Sequence, residues 1–384
     1  MAVNHPWPIV GWARTPVAPV GGALAQCAVP DLTTPLIIRL LHSAGVPAQA
    51  VDALVLGNAL GANGNPARLA ALAAGLPDRV AAWTVDSQCC SGLDALTHAC
   101  GLLALGQAEV VIAGGAEAWS RAPIRAHRPY RAGEVAQTYE CPAFAPAPRD
   151  RDMLDAAAAV AGQQSLTRAA QDAWAVTSHA RALAYAPGDE VVPVAGLARD
   201  AYPRVLTPAR AARMPAVRPG TSTQGADCSL STVAISPKAD GAALLLLASP
   251  AACRRWNLRP RAQWQGAVSL GAAPEAPMLA AQQAAQQLLH CQGLAATDVD
   301  VVELHDAFAA QSLAFAQALG VPLEAINRQG GGLARGHPIG ASGAIALVQA
   351  LAQLQPGQWA LAAIAGAGGM GSATLARAVT ADEY

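Results

Sequence analysis

A duplicated α/β architecture, with helices covering mostly parallel sheets, is what the sequence predicts, and three observations carry that prediction. The first is a repeat. RLLHSAGVPAQAVDALVLGN (39–58) aligns without gaps on QLLHCQGLAATDVDVVELHD (287–306), so that Leu40, Leu41, His42, Gly45, Ala48, Val51, Asp52 and Leu56 recur as Leu288, Leu289, His290, Gly293, Ala296, Val299, Asp300 and Leu304. Eight identities in twenty positions are hard to obtain by chance, even in an alanine-rich chain. The second is that SGLDAL (91–96) returns as SGAIAL (342–347), each opening an apolar helix candidate. The third is that each helix leads to a strand and then glycines, EVVIAGGAEA in one copy and ALAAIAGAGGMGSA in the other. Helix and strand alternating within both copies favours α/β layers.

The elements follow in chain order. An apolar strand candidate lies around Ile9 and Val10, and Leu36 to His42 reads as the end of an amphipathic helix broken by Gly45 and Pro47. Val51 to Leu56 follows as a buried strand and Val80 to Val85 as an extended segment, after which a helix is expected through Leu105. From about Arg121 to Ile235 the character changes, with arginines, prolines and aromatics interleaved around one helical stretch from Met153 to Tyr185. This reads as an insertion whose loops cover a site between the halves. The apolar run from Ala243 resembles a strand closing the first half.

Composition narrows the function. At 384 residues the chain implies two or three domains. Hydrophobic content of 53% against 13% charge, with 35 Gly and 28 Pro, indicates a well-buried protein with many tight turns. A net charge of −1 without a basic stripe does not suit nucleic acid. Eight cysteines include no C-x-x-C pair, so no metal site is expected, and reduced cytosolic thiols fit better than a disulfide framework. No signal or presequence pattern, no bilayer-spanning run and no peroxisomal ending appear, so the expected location is the cytoplasm. Lys238 is the only lysine among 25 Lys and Arg residues.

Chemistry concentrates in DSQCCSGLDAL (86–96). A cysteine where a strand ends and a helix begins meets free backbone N–H groups and the positive end of the helix dipole. On that basis Cys89 is expected to titrate below a free cysteine and act as a nucleophile, although most free cysteines are simply small buried hydrophobes. Cys89 lies 37 residues after Asp52 and His337 lies 37 after Asp300, so the repeat predicts the two face to face as a nucleophile and base pair. HDAFA (305–309) is placed beside them by the same symmetry. Alone, either His305 or His337 would more often be a structural histidine.

These residues bring a family into view. ARTPV, DSQCCSGL, GGAEAWS, SPKADGAA, VELHDAF, GHPIGASG and GGMG stand in the order found in thiolases, and the chain resembles that family over nearly its whole length. The resemblance implies a five-layer αβαβα fold, duplicated, with an inserted loop domain. Its expected divisions are 1–120 plus 236–257 for the N-terminal half, 121–235 for the coenzyme A-binding insertion and 258–384 for the C-terminal half. It implies that Cys89 is acylated, that His337 activates it, and that His305 helps His337 form an oxyanion hole. A second hole would come from the backbone N–H of Cys89 and of a residue near Ala367. Ser236, Arg204 and Met153 would contact coenzyme A or its pantetheine arm, and Phe308 would line the tunnel. Coenzyme A or acyl-CoA is then a substrate, with no permanently bound cofactor, and a homodimer or homotetramer is expected.

One departure stands out. Ordinary thiolases carry a second cysteine before the final glycine turn, where this chain has Ala365, and no cysteine follows Cys291. The expected function is a thiolase-type acyltransferase that passes an acyl group from Cys89 to coenzyme A or a carbon nucleophile. The alternatives are a non-thiolytic C- or O-acyltransferase with a pre-activated acceptor, and a weakly active thiolase-like partner subunit.

Overall fold

The computed structural model describes residues 6–61, 63–380 and 383. Five strands build the first half: β1 (Trp7–Arg14), β2 (Ala53–Gly57), β3 (Ala81–Val85), β4 (Val110–Ala118) and β5 (Ala239–Ala248). Four build the second: β6 (Ala262–Gly271), β7 (Val301–Leu304), β8 (Trp359–Gly366) and β9 (Met370–Ala378). Together with the short strand Ala18–Pro19 they form one sheet, in the order β7-β8-β9-β6-β1-β5-β4-β2-β3. Read outward from the centre, β1-β5-β4-β2-β3 is answered by β6-β9-β8-β7. The central partners β1 and β6 pair antiparallel, Trp7 opposite Trp264 and Ile9 opposite Ala262, as a two-fold axis between them requires. A counterpart of β3 is reduced to a single parallel bridge between Val302 and Ile326.

The expectation of mostly parallel sheets is overturned. Only β2 with β3, β2 with β4 and β7 with β8 run parallel, while β1, β5, β6 and β9 join antiparallel ladders. Antiparallel neighbours need only a tight turn. Gly368 and Gly369, at φ 78° and 81°, supply one between β8 and β9.

Helices α1 (Val29–Ala44) and α2 (Pro66–Ala73) cover the outer face of the first half, packing Leu32, Leu36, Ile37, Leu40, Ala67 and Ala71 on the sheet. Two central helices, which we label α3 (Ser91–Ala104) and α8 (Ser342–Gln353), lie between the halves and share one core, with Leu93, Leu96, Leu347 and Leu351 packed among Ile9, Val111 and Ile364. On the outer face of the second half, α6 (Ala280–Gln292) and α7 (Ala309–Leu319) bury Leu288, Leu289 and Phe315. The result is five layers, αβαβα.

The repeated residues do the same work in both halves. Helices α1 and α6 end at Gly45 and Gly293, both left-handed (φ 66° and 67°), whose N–H groups return to the carbonyls of His42 and His290. Asp52 Oδ2 then accepts from the N–H groups of Glu109 and Val110, at 2.8 and 3.1 Å, and Asp300 Oδ2 accepts from Trp359 N–H at 2.8 Å. Each aspartate thereby pins the start of the next strand.

Between β4 and β5 the chain forms α4 (Met153–Gln163) and α5 (Arg168–Ala184), so the single stretch expected from 153 to 185 is two helices. Ser165 takes φ 54°, and Thr167 Oγ1 caps α5 by accepting from Ala170 N–H. Helix α5 is tied to the second half by Trp174 Nε1, which donates to Asp306 at 3.1 Å, and by Arg181, which donates to the Ile326 carbonyl at 2.7 Å. Among the described residues no helix is long and apolar enough to cross a membrane.

The two halves meet closely at Gly340. A Cβ on Gly115 would lie 2.0 Å from the Gly340 carbonyl oxygen and 2.8 Å from Ala341 Cα. Both obstacles are backbone, so no side chain can move aside. Gly115→Ala is expected to destabilise the protein by about 3 kcal/mol or more, the upper end for overpacking. The midpoint of urea unfolding measures it, and a variant within 0.5 kcal/mol of the natural protein, roughly the scatter of surface changes, would mean this contact is slack.

Candidate active site

Cys89 stands in the turn between β3 and α3. Gln88 adopts a left-handed conformation (φ 56°), with its N–H donated to Asp86 Oδ1 at 2.9 Å. Ser91 Oγ accepts from Ser87 N–H at 3.0 Å and donates to the Gln88 carbonyl at 2.5 Å. This turn delivers Cys89 to a cleft, whereas Cys90 is fully buried with Sγ directed at the Ile364 carbonyl at 3.8 Å. His337 arrives on an extended segment. Its N–H donates to the Pro237 carbonyl at 2.7 Å, and its own carbonyl accepts from Ala239 N–H at 3.3 Å.

The two side chains meet. Cys89 Sγ lies 3.2 Å from His337 Nε2, and His337 Nδ1 lies 2.7 Å from Ser342 Oγ. Ser342 donates its own hydroxyl proton to the Pro338 carbonyl at 2.9 Å, so it accepts from Nδ1–H. The lone pair of Nε2 is therefore presented to the thiol, the arrangement needed to take its proton. Equal separations from Asp52 and Asp300 did not produce this encounter. Counted from the helix starts, Cys89 is two residues before Ser91 and His337 five before Ser342. It is the packing of α3 against α8 that brings the two together.

The expected lowering of the Cys89 pKa is also overturned. Burial pushes it up to about 12, against N–H groups of Ala367 and of Cys89 itself that favour the thiolate. Burial likewise holds His337 down at about 3. The resting pair is a neutral thiol beside a neutral imidazole. His305 stacks on His337 with centroids 4.2 Å apart and planes 29° apart. Its pKa is lowered by burial first, then by the neighbouring His337 and Arg335, and its Nε2 has no partner among the described residues. His305 lines a small cavity behind His337 with Gly332, Arg335 and Ser342, not the main cleft.

Met153, Ser236 and Phe308 do line the cleft with Cys89 and His337. Ser236 donates Oγ–H to the Gly332 carbonyl at 2.7 Å and its N–H to the Ala307 carbonyl at 2.9 Å. Arg204 is elsewhere. Its guanidinium lies 4.1 Å over the Tyr202 ring, and its segment is anchored by a buried ion pair at 2.7 Å between Asp200 and Arg14. Ala365 lines the cleft and offers no thiol.

Two residues escaped the sequence reading. Ser342 stood in GHPIGASG and in the SG shared between the two copies, with no role read from either. Glu117 is a lone acid in a strand of nine buried residues, and it accepts from Asn58 Nδ2 at 2.7 Å, Ala59 N–H at 2.9 Å and Gly340 N–H at 3.0 Å. Burial raises its pKa to about 7 against the pull of those N–H groups. Among the described residues no cluster of three or more His, Cys, Asp or Glu is arranged to hold a metal ion.

Comparison with known proteins places this geometry. Residues 8–251 match the family model for the thiolase N-terminal domain and residues 258–378 that for the thiolase C-terminal domain. The chain is 36% identical over 380 residues to the "Putative acetyl-CoA C-acetyltransferase VraB" of Staphylococcus haemolyticus, covering 96% of this chain and 97% of that protein. It is 37% identical to the "Putative acetyl-CoA C-acetyltransferase YhfS" of Bacillus subtilis, over 96% and 98% of the two chains. Its structure is similar to that of the Bacillus anthracis acetyl-CoA acetyltransferase, with TM-score 0.87, 30% identity and coverage of 98% and 99%. It also resembles the Acat5 thiolase of Ascaris suum in complex with coenzyme A, with TM-score 0.88, 26% identity and coverage of 98% and 100%.

A neutral resting pair has a measurable pH signature. Alkylation of Cys89 by iodoacetamide, followed by peptide mass mapping, is expected to climb through alkaline pH without levelling off near pH 7. The rate tracks thiolate, which forms only as pH approaches the raised thiol pKa. A plateau beginning below pH 7 would instead reveal a resting thiolate–imidazolium pair. Ser342→Ala, which frees the imidazole tautomer, should slow acylation of Cys89 by roughly tenfold or more in the same preparation.

Proposed function

The chain belongs to the thiolase family and is a coenzyme A-dependent acyltransferase of thiolase type; from that premise we propose how its own residues carry the reaction. The carrying observation is the 3.2 Å contact between Cys89 Sγ and His337 Nε2, with the tautomer fixed by Ser342. As Cys89 attacks the thioester carbonyl of an acyl-CoA, or the 3-oxo carbonyl of a 3-oxoacyl-CoA, its proton passes to Nε2. The tetrahedral intermediate then collapses. The bond to the coenzyme A sulfur, or to the α-carbon, breaks, and the acyl group remains on Cys89. The leaving thiolate or enolate takes the proton that His337 carries. Coenzyme A or a carbon nucleophile next removes the acyl group by the reverse path.

The N–H groups of Cys89 and Ala367, already directed at the sulfur, serve as oxyanion donors in the acyl-enzyme half-reactions. Such donors are each worth about 3–4 kcal/mol elsewhere. His305 acts as a positioning residue, its uncharged ring stacked on His337. Met153, Ser236 and Phe308 line the route of the pantetheine arm, and Arg204, which does not line the cleft, is left to the part of coenzyme A outside it.

In this reading residues 1–120 with 236–257 form one catalytic half, 258–384 the other, and 121–235 the coenzyme A-binding insertion. The protein acts in the cytoplasm as a homodimer or homotetramer. Strand β3 ends the sheet with one edge unpaired among the described residues, and Trp83 on it is 46% exposed, as an assembly surface would be. Light scattering at micromolar concentration should give at least twice the chain mass, and a monomer would refute assembly.

Acylation and cleavage can be separated experimentally. Incubation with acetyl-CoA should add one acetyl group by intact mass, mapped to Cys89 and absent in Cys89→Ala. With Ala365 offering no acid, acetoacetyl-CoA thiolysis should be slow relative to that loading. Ala365→Cys should accelerate it by about a hundredfold, the lower range for a positioned acid or base. An adduct on Cys90 alone would remove Cys89 from the mechanism. Thiolysis in the natural protein as fast as loading would show that the His337 proton suffices.

A further inference from the structure

The only lysine of the chain lies in the catalytic cleft, and nothing in the acyl-transfer steps uses it. Lys238 forms a parallel bridge with His337, bracketed by the hydrogen bonds from His337 N–H to Pro237 and from Ala239 N–H to His337. Paired residues of adjacent strands project to one face, so the lysine enters the cleft on the same side as the imidazole. Its ammonium rests 5.2 Å from the centroid of Trp119, another cleft residue. It is ion-paired with Glu140, yet both side chains are well exposed, at 46% and 72%. Exposed pairs of this kind contribute little to stability and exchange readily. Arg125 lines the same cleft, donates to the Ala59 carbonyl at 2.8 Å and meets no carboxylate among the described residues. The cleft, mostly apolar in its lining, therefore carries two cations and one carboxylate, which is paired with Lys238.

We propose, resting on the acyltransferase reading above, that the cleft accepts acyl groups ending in a carboxylate, which displaces Glu140 and is received by Lys238 and Arg125. A neutral alkyl chain would fill the apolar part and leave the two cations without that partner. A carboxylate at the far end of the acyl chain satisfies both.

The test compares loading of Cys89 by matched pairs of equal carbon number: succinyl-CoA with butyryl-CoA, glutaryl-CoA with pentanoyl-CoA, and adipyl-CoA with hexanoyl-CoA. Time courses by intact mass give the ratio of second-order rates within each pair. For at least one pair the natural protein should favour the carboxylated member by about tenfold or more, as expected for a hydrogen-bonded charge pair. Lys238→Met should bring that ratio close to one, and Lys238→Arg should retain most of it. Glu140→Gln, at an exposed position, should raise it by removing the competing carboxylate. Ratios at or below one for all three pairs overturn the proposal. So does a Lys238→Met variant that slows both members equally, since the lysine would then serve the coenzyme A portion common to both. Loading by none of the six while acetyl-CoA still loads Cys89, or equal loading within every pair, overturns this proposal alone, whereas failure of acetyl-CoA as well overturns the acyltransferase reading and this proposal with it.

Discussion

The backbone of Gly340 pressed into the first half is the contact on which the site depends. It has room only because glycine faces it: Gly92 would place a Cβ 3.0 Å from the Gly340 carbonyl oxygen, and a Cβ on Gly340 itself would meet Asn58 Cα at 2.7 Å. The same residue gives its N–H to Glu117, which also gathers Asn58 and Ala59. One carboxylate thus ties the end of β2, the end of β4 and the loop that bears His337. Because His337 is three residues before Gly340, the distance between His337 and Cys89 follows from how closely these backbones approach. The chemistry is positioned by main chain first and by side chains second.

Electrostatics at Cys89 come down to a contest of magnitudes. A helix end contributes roughly 0.3–1 kcal/mol to a nearby charge, less than one pKa unit, and α3 begins two residues beyond Cys89. Burial shifts titrating groups by up to about 3–5 units, and Cys89 is only 7% exposed. Burial wins, and the N–H groups of Cys89 and Ala367 offset only part of it. In the mechanism proposed above, those same donors act once negative charge develops, because they are already oriented in a buried site.

Much of this was legible in the sequence, for identifiable reasons. Asp52 and Asp300 survive in both copies because each closes the same strand start, so the duplication was written in residues that perform one structural task twice. Ser236 and Phe308 could be placed beside the cleft because the motifs SPKADGAA and VELHDAF carry them. What was not legible depends on contacts distant in sequence. Apolar patterning reports burial but not strand direction, so the antiparallel ladders through β1 and β6 were hidden. The thiol pKa is set by surroundings drawn from both halves. Arg204 follows a segment whose path is fixed by Asp200 on Arg14, a buried pair that no local pattern announces.

The neutral thiol also bears on how the protein ages. Oxidants attack thiolate far more readily than thiol, beginning the sequence from sulfenic to irreversible sulfinic and sulfonic acids. With its proton held to about pH 12, Cys89 presents little thiolate between turnovers. In the mechanism proposed above, the thiolate forms only while an acyl-CoA occupies the cleft, which keeps Cys89 from peroxide for the rest of the protein's lifetime. Burial, which makes the cysteine a weaker resting nucleophile, is thus also its protection against irreversible loss.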